Sequence, residues 1–341
     1  MASKRKQNWV SFLNSLYVRG NQKILVLVHK GADVDAIASA GAFYFLFSKK
    51  NKIKIVVPEH INVNAKTFSQ KMNIPYSVDP KIDFNSFDNL VVFDCSSKNM
   101  LSCYKEALDK KNLFVLDHHA SGCRKQNFLI NPKEVSTTML LYYAFSKSKV
   151  KLSKKAATCL AAGISTDSAN MILANHDVFR VMSSLLKTAE KKYSQILSLF
   201  SVPKDVSEKV SGLKAARRCK IYGSFNYVIT TTEVGSFEAA SAVSLLKLGS
   251  DVAFAAGIKK GSLLLCARAN NAFMRETGFD LTKHVIPHLE EQFKGEGGGH
   301  PGAASFTLTA NDSYAVLQQC LKRTHMFLEK KFRKSTPIKK Y

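Results

Sequence analysis

Short apolar segments that alternate with longer helical segments are the feature that most constrains the fold of this chain. Three of the apolar segments have the length of buried strands, and each ends directly before a histidine or an aspartate. They are residues 24–28 before His29, 90–93 before Asp94, and 113–116 before Asp117. Strands that alternate with helices predict a parallel sheet, and the carboxyl ends of parallel strands meet at one edge. We therefore expect these polar side chains to share one crevice.

The alternation stops and then starts again, which predicts a second domain in a chain of 341 residues. Residues 176–219 are helical in pattern and rich in Lys, Ser and Leu. The sequence thus predicts an α/β protein, with an N-terminal parallel-sheet domain and a smaller C-terminal α/β domain. The predicted boundaries are 1–190 for the first domain, 191–222 for a helical connector and 223–341 for the second domain. Within the second domain we expect one helix over 281–293, a glycine-rich turn at 297–300 and a final helix over 313–330.

Histidines and aspartates cluster in two short motifs at the predicted strand ends. One is an H-x-x-x-D-x-D pattern after the first strand, and the other is a D-H-H triplet. A single aspartate after a strand is often a helix cap or a turn residue, but this combination is far more specific. Two aspartates outside these motifs, Asp94 and Asp167, complete the set. The candidate residues are His29, Asp33, Asp35, Asp94, Asp117, His118, His119 and Asp167.

The mixture of imidazoles and carboxylates indicates a particular chemistry. Two divalent ions about 3.5–4 Å apart can clamp the attacking and leaving oxygens of an in-line displacement. Several carboxylates are then needed to offset the repulsion between the ions. Imidazole and carboxylate ligands suit Mn²⁺ or Zn²⁺ better than the all-oxygen coordination that Mg²⁺ prefers. The motifs therefore predict a two-metal centre that hydrolyses phosphodiesters.

On these motifs the chain resembles the DHH phosphoesterase superfamily with a DHH-associated C-terminal domain, which includes RecJ-type exonucleases, nanoRNases and cyclic-dinucleotide phosphodiesterases. The resemblance covers nearly the whole chain, and the two-domain layout suggests an active site in the cleft between the domains. The ligands that it implies for the first metal ion are His29, Asp33 and Asp94. Those that it implies for the second are Asp35, Asp94, His118 and Asp167, with Asp94 bridging.

The same resemblance implies roles for the rest of the triplet. His119 would contact the scissile phosphate and help the leaving group to develop, and Asp117 would orient a histidine. A hydroxide that bridges the metals would be the nucleophile, so the catalytic roles fall on His119, Asp94 and His118. The chain departs from the family at Lys30-Gly31-Ala32, where the family often has Asn or Pro. This departure removes no ligand but puts a positive charge near the cleft.

A glycine run near the C-terminus supplies a second candidate site. Gly297, Gly298 and Gly299 let backbone N–H groups approach an anion closely, and His300 can donate to a phosphate oxygen. Such a run is usually a hairpin or loop when it stands alone. Its distance from the D-H-H triplet and its position after a strand that holds Arg268 match the substrate-binding domain of the family.

Three further residues resemble family positions that contact the substrate. Arg268 resembles the arginine that grips a phosphate or the terminal nucleotide, although an arginine in a strand is often solvated or salt-bridged. Ser136 and Thr137 resemble residues whose hydroxyls contact phosphate, and a helix N-cap explains them equally well.

The composition of the chain indicates what kind of partner it binds and in which cellular compartment we expect it. Lys and Arg number 50 against 26 Asp and Glu, a net charge of +24. A basic surface attracts polyanions, although solubility in a salt-rich or hot cytoplasm also favours it. No apolar run approaches the ~20 residues of a membrane span, and the charged N-terminus lacks the apolar core of a signal peptide. Since the seven cysteines show no C-x-x-C spacing, we expect a cytoplasmic protein without a zinc knuckle or a disulfide framework.

The sequence therefore predicts a metal-dependent exonuclease that acts on single-stranded DNA or RNA. The alternatives with the same chemistry are a nanoRNase, a 3′-phosphoadenosine-5′-phosphate phosphatase and a cyclic-dinucleotide phosphodiesterase. A catalytically inactive scaffold in replication or repair is the alternative from a different class. The expected cofactors are two divalent ions, Mn²⁺ first, with Mg²⁺, Co²⁺ or Zn²⁺ as alternatives. The expected partner is single-stranded nucleic acid or short oligonucleotides, a replication or repair protein is a further candidate, and monomer and homodimer both stay open.

Overall fold

The structure is a computed structural model that describes residues 2–120, 122–125, 127–203, 205–309 and 312–341, with side chains for all of these except 2–4 and 6. The chain divides into two compact units, unit 1 (Met1–Val202) and unit 2 (Pro203–Tyr341). Each unit combines helices with one β-sheet, so the predicted α/β class is confirmed. None of the described helices is long and apolar enough to cross a lipid bilayer.

Unit 1 is built on a six-stranded sheet. Its strands are β1 (Lys23–Leu27), β2 (Lys52–Val57), β3 (Ser77–Val78), β4 (Asn89–Phe93), β5 (Leu113–Asp117) and β6 (Phe128–Ile130). The strand order is β3-β2-β1-β4-β5-β6, and every described pair is parallel. The predicted parallel sheet is therefore confirmed, and β1, β4 and β5 are adjacent strands within it.

Helices cover both faces of this sheet, as a parallel sheet requires. They are α1 (Ala2–Val18), α2 (Val34–Phe47), α3 (Val63–Met72), α4 (Lys98–Leu101), α5 (Thr137–Ser146), α6 (Lys154–Asp167), α7 (His176–Ala189) and α8 (Tyr193–Phe200), with 3₁₀ turns at Phe84–Ser86 and Ser102–Asp109. One apolar core contains Trp9, Phe43 and Phe145. A separate core contains Tyr104 and Leu108. Two cores, each with its own strand residues, indicate that the sheet is sandwiched between helical layers.

The close approach of α6 to α2 positions one side of the site. An added Cβ at Gly163 of α6 would lie 2.5 Å from Oδ1 of Asp35 and 2.5 Å from Cγ2 of Thr138. Only glycine leaves room for Asp35 at this contact, because any side chain would collide with it. The sequence of α6 thus allows a charged residue to be fully buried beside it.

Unit 2 contains a seven-stranded mixed sheet. Its strands are β7 (Lys220–Ser224), β8 (Tyr227–Glu233), β9 (Val252–Lys259), β10 (Ser262–Ala269), β11 (Glu296–His300), β12 (Ala303–Thr309) and β13 (Lys339–Lys340). The order is β11-β12-β10-β9-β8-β7-β13, in which β8 and β9 are parallel and the other described pairs are antiparallel. The predicted second α/β unit is confirmed.

The helices of unit 2 differ from the prediction at one place. They are α9 (Val206–Arg218), α10 (Glu238–Lys247), α11 (Asn271–Thr277), α12 (Leu281–His284), α13 (Ile286–Phe293) and α14 (Tyr314–Phe332). The single helix predicted over 281–293 is broken at Val285. Pro287 lies in the first turn of α13. Proline has no N–H to donate within a helix and clashes with the preceding turn, so the helix restarts there.

The predicted glycine turn is also wrong in its local structure. Residues 296–300 form the edge strand β11, which pairs antiparallel with β12, and the turn falls at Pro301 and Gly302. The backbones pack closely, because an added Cβ at Gly299 would lie 2.3 Å from the carbonyl oxygen of Ala303. The absence of side chains at these glycines therefore allows β11 and β12 to pair closely. The hydrophobic periodicity of the sequence does not reveal this pairing.

Candidate metal centre

The carboxyl ends of three adjacent strands form the middle of the site. His29 lies just beyond β1, Asp94 directly follows β4, and Asp117 is the last residue of β5. The start of α2 adds two carboxylates, since Asp33 caps its N-terminus and Asp35 lies in its first turn. The structure thus brings together the side chains that the strand pattern directs to one crevice.

Three groups of ligand atoms are each compact enough to hold one metal ion. All atoms within a group lie within 4.8 Å of one another. The groups are His29 with Asp33 and Asp94, Asp35 with His118 and Asp167, and Asp94 with His118 and His119. Together they contain all six predicted metal ligands.

Asp94 stands between the two halves of this cluster. Its Oδ2 lies 3.5 Å from Nε2 of His29, and its Oδ1 lies 3.5 Å from Nε2 of His118. The residue is 3% exposed, and its backbone has the left-handed φ of 61°, which Asp and Asn tolerate better than most residues. One carboxylate therefore turns a separate oxygen toward each of two ligand groups, a geometry that suits a bridging ligand.

The buried carboxylates carry unfavourable negative charge. Burial raises the pKa of Asp33, and the nearby charges of Asp94 and Asp167 raise it further. The pKa of Asp35 is raised well above its usual range by burial and then by the same neighbouring carboxylates. A site that holds these groups ionised needs compensating positive charge.

Two histidines are oriented as ligands through Nε2. Nδ1 of His29 lies 2.9 Å from the carbonyl oxygen of Lys30, and Nδ1 of His118 lies 3.4 Å from that of Glu134. A carbonyl can only accept, so each Nδ1 carries a proton, and each Nε2 is the atom that binds a metal ion once its own proton is displaced. Burial alone would lower both pKa values. The carboxylate of Asp94 raises that of His29 to about 8, and chiefly Asp167 raises that of His118 to about 9.

Asp117 holds the third histidine in place. Its Oδ1 accepts from the backbone N–H of His119 at 3.0 Å and from Nδ1 of the same residue at 2.8 Å. Its Oδ2 accepts from the hydroxyl of Ser96 at 2.5 Å. Burial would raise the pKa of Asp117, but the hydrogen bonds from His119 and Ser96 outweigh it and lower that pKa. The bond to Asp117 raises the pKa of His119, whose side chain is 54% exposed.

The first turn of α5 binds two of the carboxylates. The backbone N–H groups of Thr137 and Thr138 donate to Oδ2 and Oδ1 of Asp35, at 2.7 and 3.1 Å. The hydroxyl of Thr138 donates to Asp35 over 2.5 Å, and the hydroxyl of Thr137 donates to Oδ1 of Asp94 over 2.8 Å. A helix N-terminus favours negative charge, so α5 stabilises the ionised form of the centre.

Ser136 and Thr137, the predicted substrate contacts, already have hydrogen-bond partners within unit 1. Both residues are fully buried. The hydroxyl of Ser136 accepts from the N–H of Met139 and caps α5, while that of Thr137 is bonded to Asp94. Their hydroxyls therefore organise the helix and a candidate metal ligand, and the alternative interpretation as a helix cap is right for Ser136.

Unit 2 brings Arg268 and His300 onto one face of its sheet. Ala303 on β12 is paired with Arg268 on β10 and with His300 on β11. Residues directly opposite each other on neighbouring strands point to the same face. Arg268 is half-buried and His300 is exposed. Two strand spacings, ~9.6 Å, separate their backbones, which suits two contacts to one extended anion.

The glycine run beside them is partly occupied by its own chain. Gly297, Gly298 and Gly299 are all exposed. The N–H of Gly297 donates to Oε1 of Glu290 at 3.0 Å, so one N–H predicted to face an anion already has a carboxylate partner. Space is open above Gly298, where an added Cβ would meet nothing within 4 Å.

Several residues of the site were not predicted. Ser96 holds Asp117, Thr138 holds Asp35, and Ser97 and Met100 line a cavity beside the ligands. The Ser-Thr-Thr sequence at 136–138 signals a helix start, but nothing in it identifies a carboxylate 103 residues away as the partner.

The donor set fits divalent metal ions. Crowded carboxylates with raised pKa values lie beside imidazoles whose Nε2 atoms face Asp94. Cations placed among these atoms would replace the Nε2 protons and relieve the repulsion between the carboxylates. His29, Asp33 and Asp94 would hold one ion, and Asp35, His118 and Asp167 would hold another beside the shared Asp94.

Comparisons with known proteins support the fold. Residues 23–164 match the DHH family, N-terminal domain. An uncharacterized protein from Methanocaldococcus jannaschii is 26% identical over 320 residues, which cover 88% of this chain and 94% of the relative. The crystal structure of an exopolyphosphatase-related protein from Bacteroides fragilis has the same fold, with a TM-score of 0.62 at 17% identity over 95% of this chain and 96% of that one. The matched region, residues 23–164, is therefore a DHH-family N-terminal domain.

Proposed function

We propose that this protein is a metal-dependent phosphodiesterase that acts as an exonuclease on single-stranded nucleic acid. The observation that carries the proposal is the position of Asp94, whose two oxygens face two separate groups of ligands. Such a pair of sites suits an in-line displacement, in which the attacking and leaving oxygens lie on opposite sides of one phosphorus. Mn²⁺ is the ion that we expect in both sites.

The bound ions would neutralise the phosphate and lower the pKa of the attacking water. The chain supplies the remaining parts. Asp117 fixes Nδ1 of His119, which leaves Nε2 of this exposed ring as the atom that donates a proton to the leaving oxygen. The raised pKa of His119 keeps that proton available near neutral pH.

The charge distribution supports a polyanionic substrate. Unit 1 holds 14 of the 26 acidic residues, and five of them, Asp33, Asp35, Asp94, Asp117 and Asp167, belong to the site. Outside the site, unit 1 therefore has only nine acidic residues, and its surface there is more basic than the net charge of the whole unit indicates. A field of this sign steers nucleic acid toward an acidic centre that metal ions have neutralised.

Arg268 and His300 would bind a phosphate of the same strand. Their shared face in unit 2 offers a guanidinium and an imidazole to one anion. If unit 2 binds the terminal phosphate of a strand, cleavage occurs at a fixed distance from that end. Cleavage from an end is what distinguishes an exonuclease from an endonuclease.

Digestion of end-labelled single strands, from 2 to 30 nucleotides long and of both RNA and DNA, tests the proposal. We expect ladders with Mn²⁺, none with EDTA, and none from an Asp94→Asn variant with Mn²⁺. Asp109→Asn is the matched control, because Asp109 is an exposed aspartate of the same unit that pairs with Lys98 and Lys125. Cleavage confined to the shortest oligomers would support the nanoRNase alternative, and inactivity on every strand would contradict the proposal.

A further inference from the structure

A small cavity opens directly beside the candidate metal ligands. Its volume is about 260 Å³. His29, Asp94 and His119 contribute to its lining, together with Cys95, Ser97 and Met100. The cavity has room for a substrate group that is joined to a phosphate at the candidate ligands.

Apart from Asp117, the part of the lining that lies outside the candidate ligands and His119 is apolar or uncharged. Met100 is 40% exposed, although it is a large apolar residue. The N–H of Lys30 donates to the carbonyl oxygen of Met100 at 2.8 Å, which ties Met100 to the loop that carries His29. A thioether is soft and polarizable, and it packs well against aromatic rings.

Ser97 adds a polar group to the same surface. It occupies the N-cap position of α4 but makes no capping hydrogen bond through its side chain. Among the described residues its hydroxyl has no hydrogen-bond partner, and it lines the cavity. It can therefore donate to, or accept from, a hydroxyl or a ring atom of a ligand.

No lysine or arginine lies in the lining, as far as the described residues show. In an inorganic polyphosphate, the neighbour of the scissile phosphate is another charged phosphate. That neighbouring phosphate needs positively charged side chains or ions of its own. In a nucleotide phosphodiester the neighbour of the scissile phosphate is an uncharged sugar with its base. The apolar wall suits the second arrangement.

We propose that Ser97 and Met100 form a nucleoside subsite, which restricts the metal centre to nucleotide phosphodiesters and excludes inorganic polyphosphates. The inference rests on the proposed phosphodiesterase function and adds the residues that select a nucleotide substrate. The base packs against the thioether of Met100, and the hydroxyl of Ser97 binds the sugar or the base edge.

Steady-state kinetics with Mn²⁺ on a dinucleotide and on inorganic tripolyphosphate tests the subsite. We expect Met100→Ala to raise KM for the dinucleotide about two- to tenfold with little change in kcat, which corresponds to a lost sulfur–aromatic contact. Met100→Arg should lower kcat/KM for the dinucleotide and raise it for tripolyphosphate. Met326→Ala is the control, because Met326 is similarly exposed, at 44%, and lies in unit 2.

The outcomes separate the two proposals. If the unmodified protein cleaves the dinucleotide while Met100→Ala keeps the same KM, the subsite is wrong and the phosphodiesterase function stands. Faster cleavage of tripolyphosphate than of the dinucleotide by the unmodified protein would also overturn the subsite. If the unmodified protein cleaves no nucleotide substrate, the proposed function fails and the subsite fails with it.

Discussion

The hydroxyl of Thr137 donates a hydrogen bond of 2.8 Å to Oδ1 of Asp94, across 43 residues of sequence. We expect Thr137→Val, which keeps the shape and removes the donor, to weaken Mn²⁺ binding about tenfold, because partners of metal ligands typically contribute 10–100-fold. Calorimetric titration of the metal-free protein measures this directly. Thr188→Val on α7 is the control, since the hydroxyl of Thr188 donates to the carbonyl oxygen of Ser184 in the same helix. Equal affinity in both variants would contradict a positioning role.

Removal of the charge of Asp94 should abolish metal binding without harming the fold. Asn tolerates the left-handed φ of 61° at this position, so Asp94→Asn avoids the strain that Ala would add. In the metal-free protein the change relieves repulsion with Asp33 and Asp35 but also removes the carboxylate that His29 and His118 face. We expect Mn²⁺ to raise the melting temperature of the unmodified protein but not of Asp94→Asn. A metal-dependent rise in Asp94→Asn would count against the shared carboxylate.

The stability of the metal-free protein should fall as pH rises from about 6.5 to about 9. The folded-state pKa values of His29 and His118 are raised from 6.5 to about 8 and about 9. The folded state then binds more protons than the unfolded state, so the stabilisation is complete below pH 6.5 and is lost as pH rises through the folded values. Mn²⁺ affinity should increase over the same window, because the ion competes with these protons. Melting curves with EDTA and with Mn²⁺ at pH 6 and pH 9 check both signs; metal-free stability that rises across this range would contradict the assignment.

Loss of either predicted anion contact in unit 2 should affect the substrate more than the metal. We expect Arg268→Ala and His300→Ala to raise KM for a single strand about tenfold, the size of a lost hydrogen bond to a charged group. Mn²⁺ affinity should stay unchanged. Arg275→Ala is the control, since Arg275 is an exposed arginine of the same unit. Reduced metal affinity in Arg268→Ala would contradict the assignment of metal binding to unit 1 and of phosphate binding to unit 2.

Two glycines of β11 should respond differently to the same substitution. Gly299 has a φ of +145°, and an added Cβ would lie 2.3 Å from the carbonyl oxygen of Ala303. At Gly298 the added Cβ would meet nothing within 4 Å. We expect Gly299→Ala to destabilise the hairpin by about 1–3 kcal/mol and to weaken substrate binding, while Gly298→Ala leaves stability nearly unchanged. Chemical denaturation of both variants measures the difference, and equal stability would contradict the strand pairing of β11.

The sequence predicted the centre of the site well because two simple rules apply there. Buried parallel strands read as apolar runs, and their carboxyl ends share an edge, so the sequence alone was enough to group His29, Asp94 and Asp117. The D-H-H triplet then identified the family. These features depend on local pattern, which a single sequence displays directly.

Other features depend on contacts between distant segments. Strands β3 and β6 have two and three residues, too few for a periodic pattern. The pairing of Thr137 with Asp94 and of Thr138 with Asp35 needs the packing of α5 against the strand ends. The composition of residues 297–299 predicts a turn. These glycines form an edge strand because they pair with β12, and that pairing cannot be read from local sequence.

The hydrogen bonds from α5 to Asp35 and Asp94 have a consequence for the order of events during synthesis. His29 is made early, whereas α5 and Asp167 come more than a hundred residues later. Until α5 exists, two carboxylates lack the donors that hold them, and until α6 is complete one ligand is missing. A nascent or truncated chain that stops before residue 167 therefore lacks part of the ligand set, and capture of both metal ions would report that synthesis has passed Asp167.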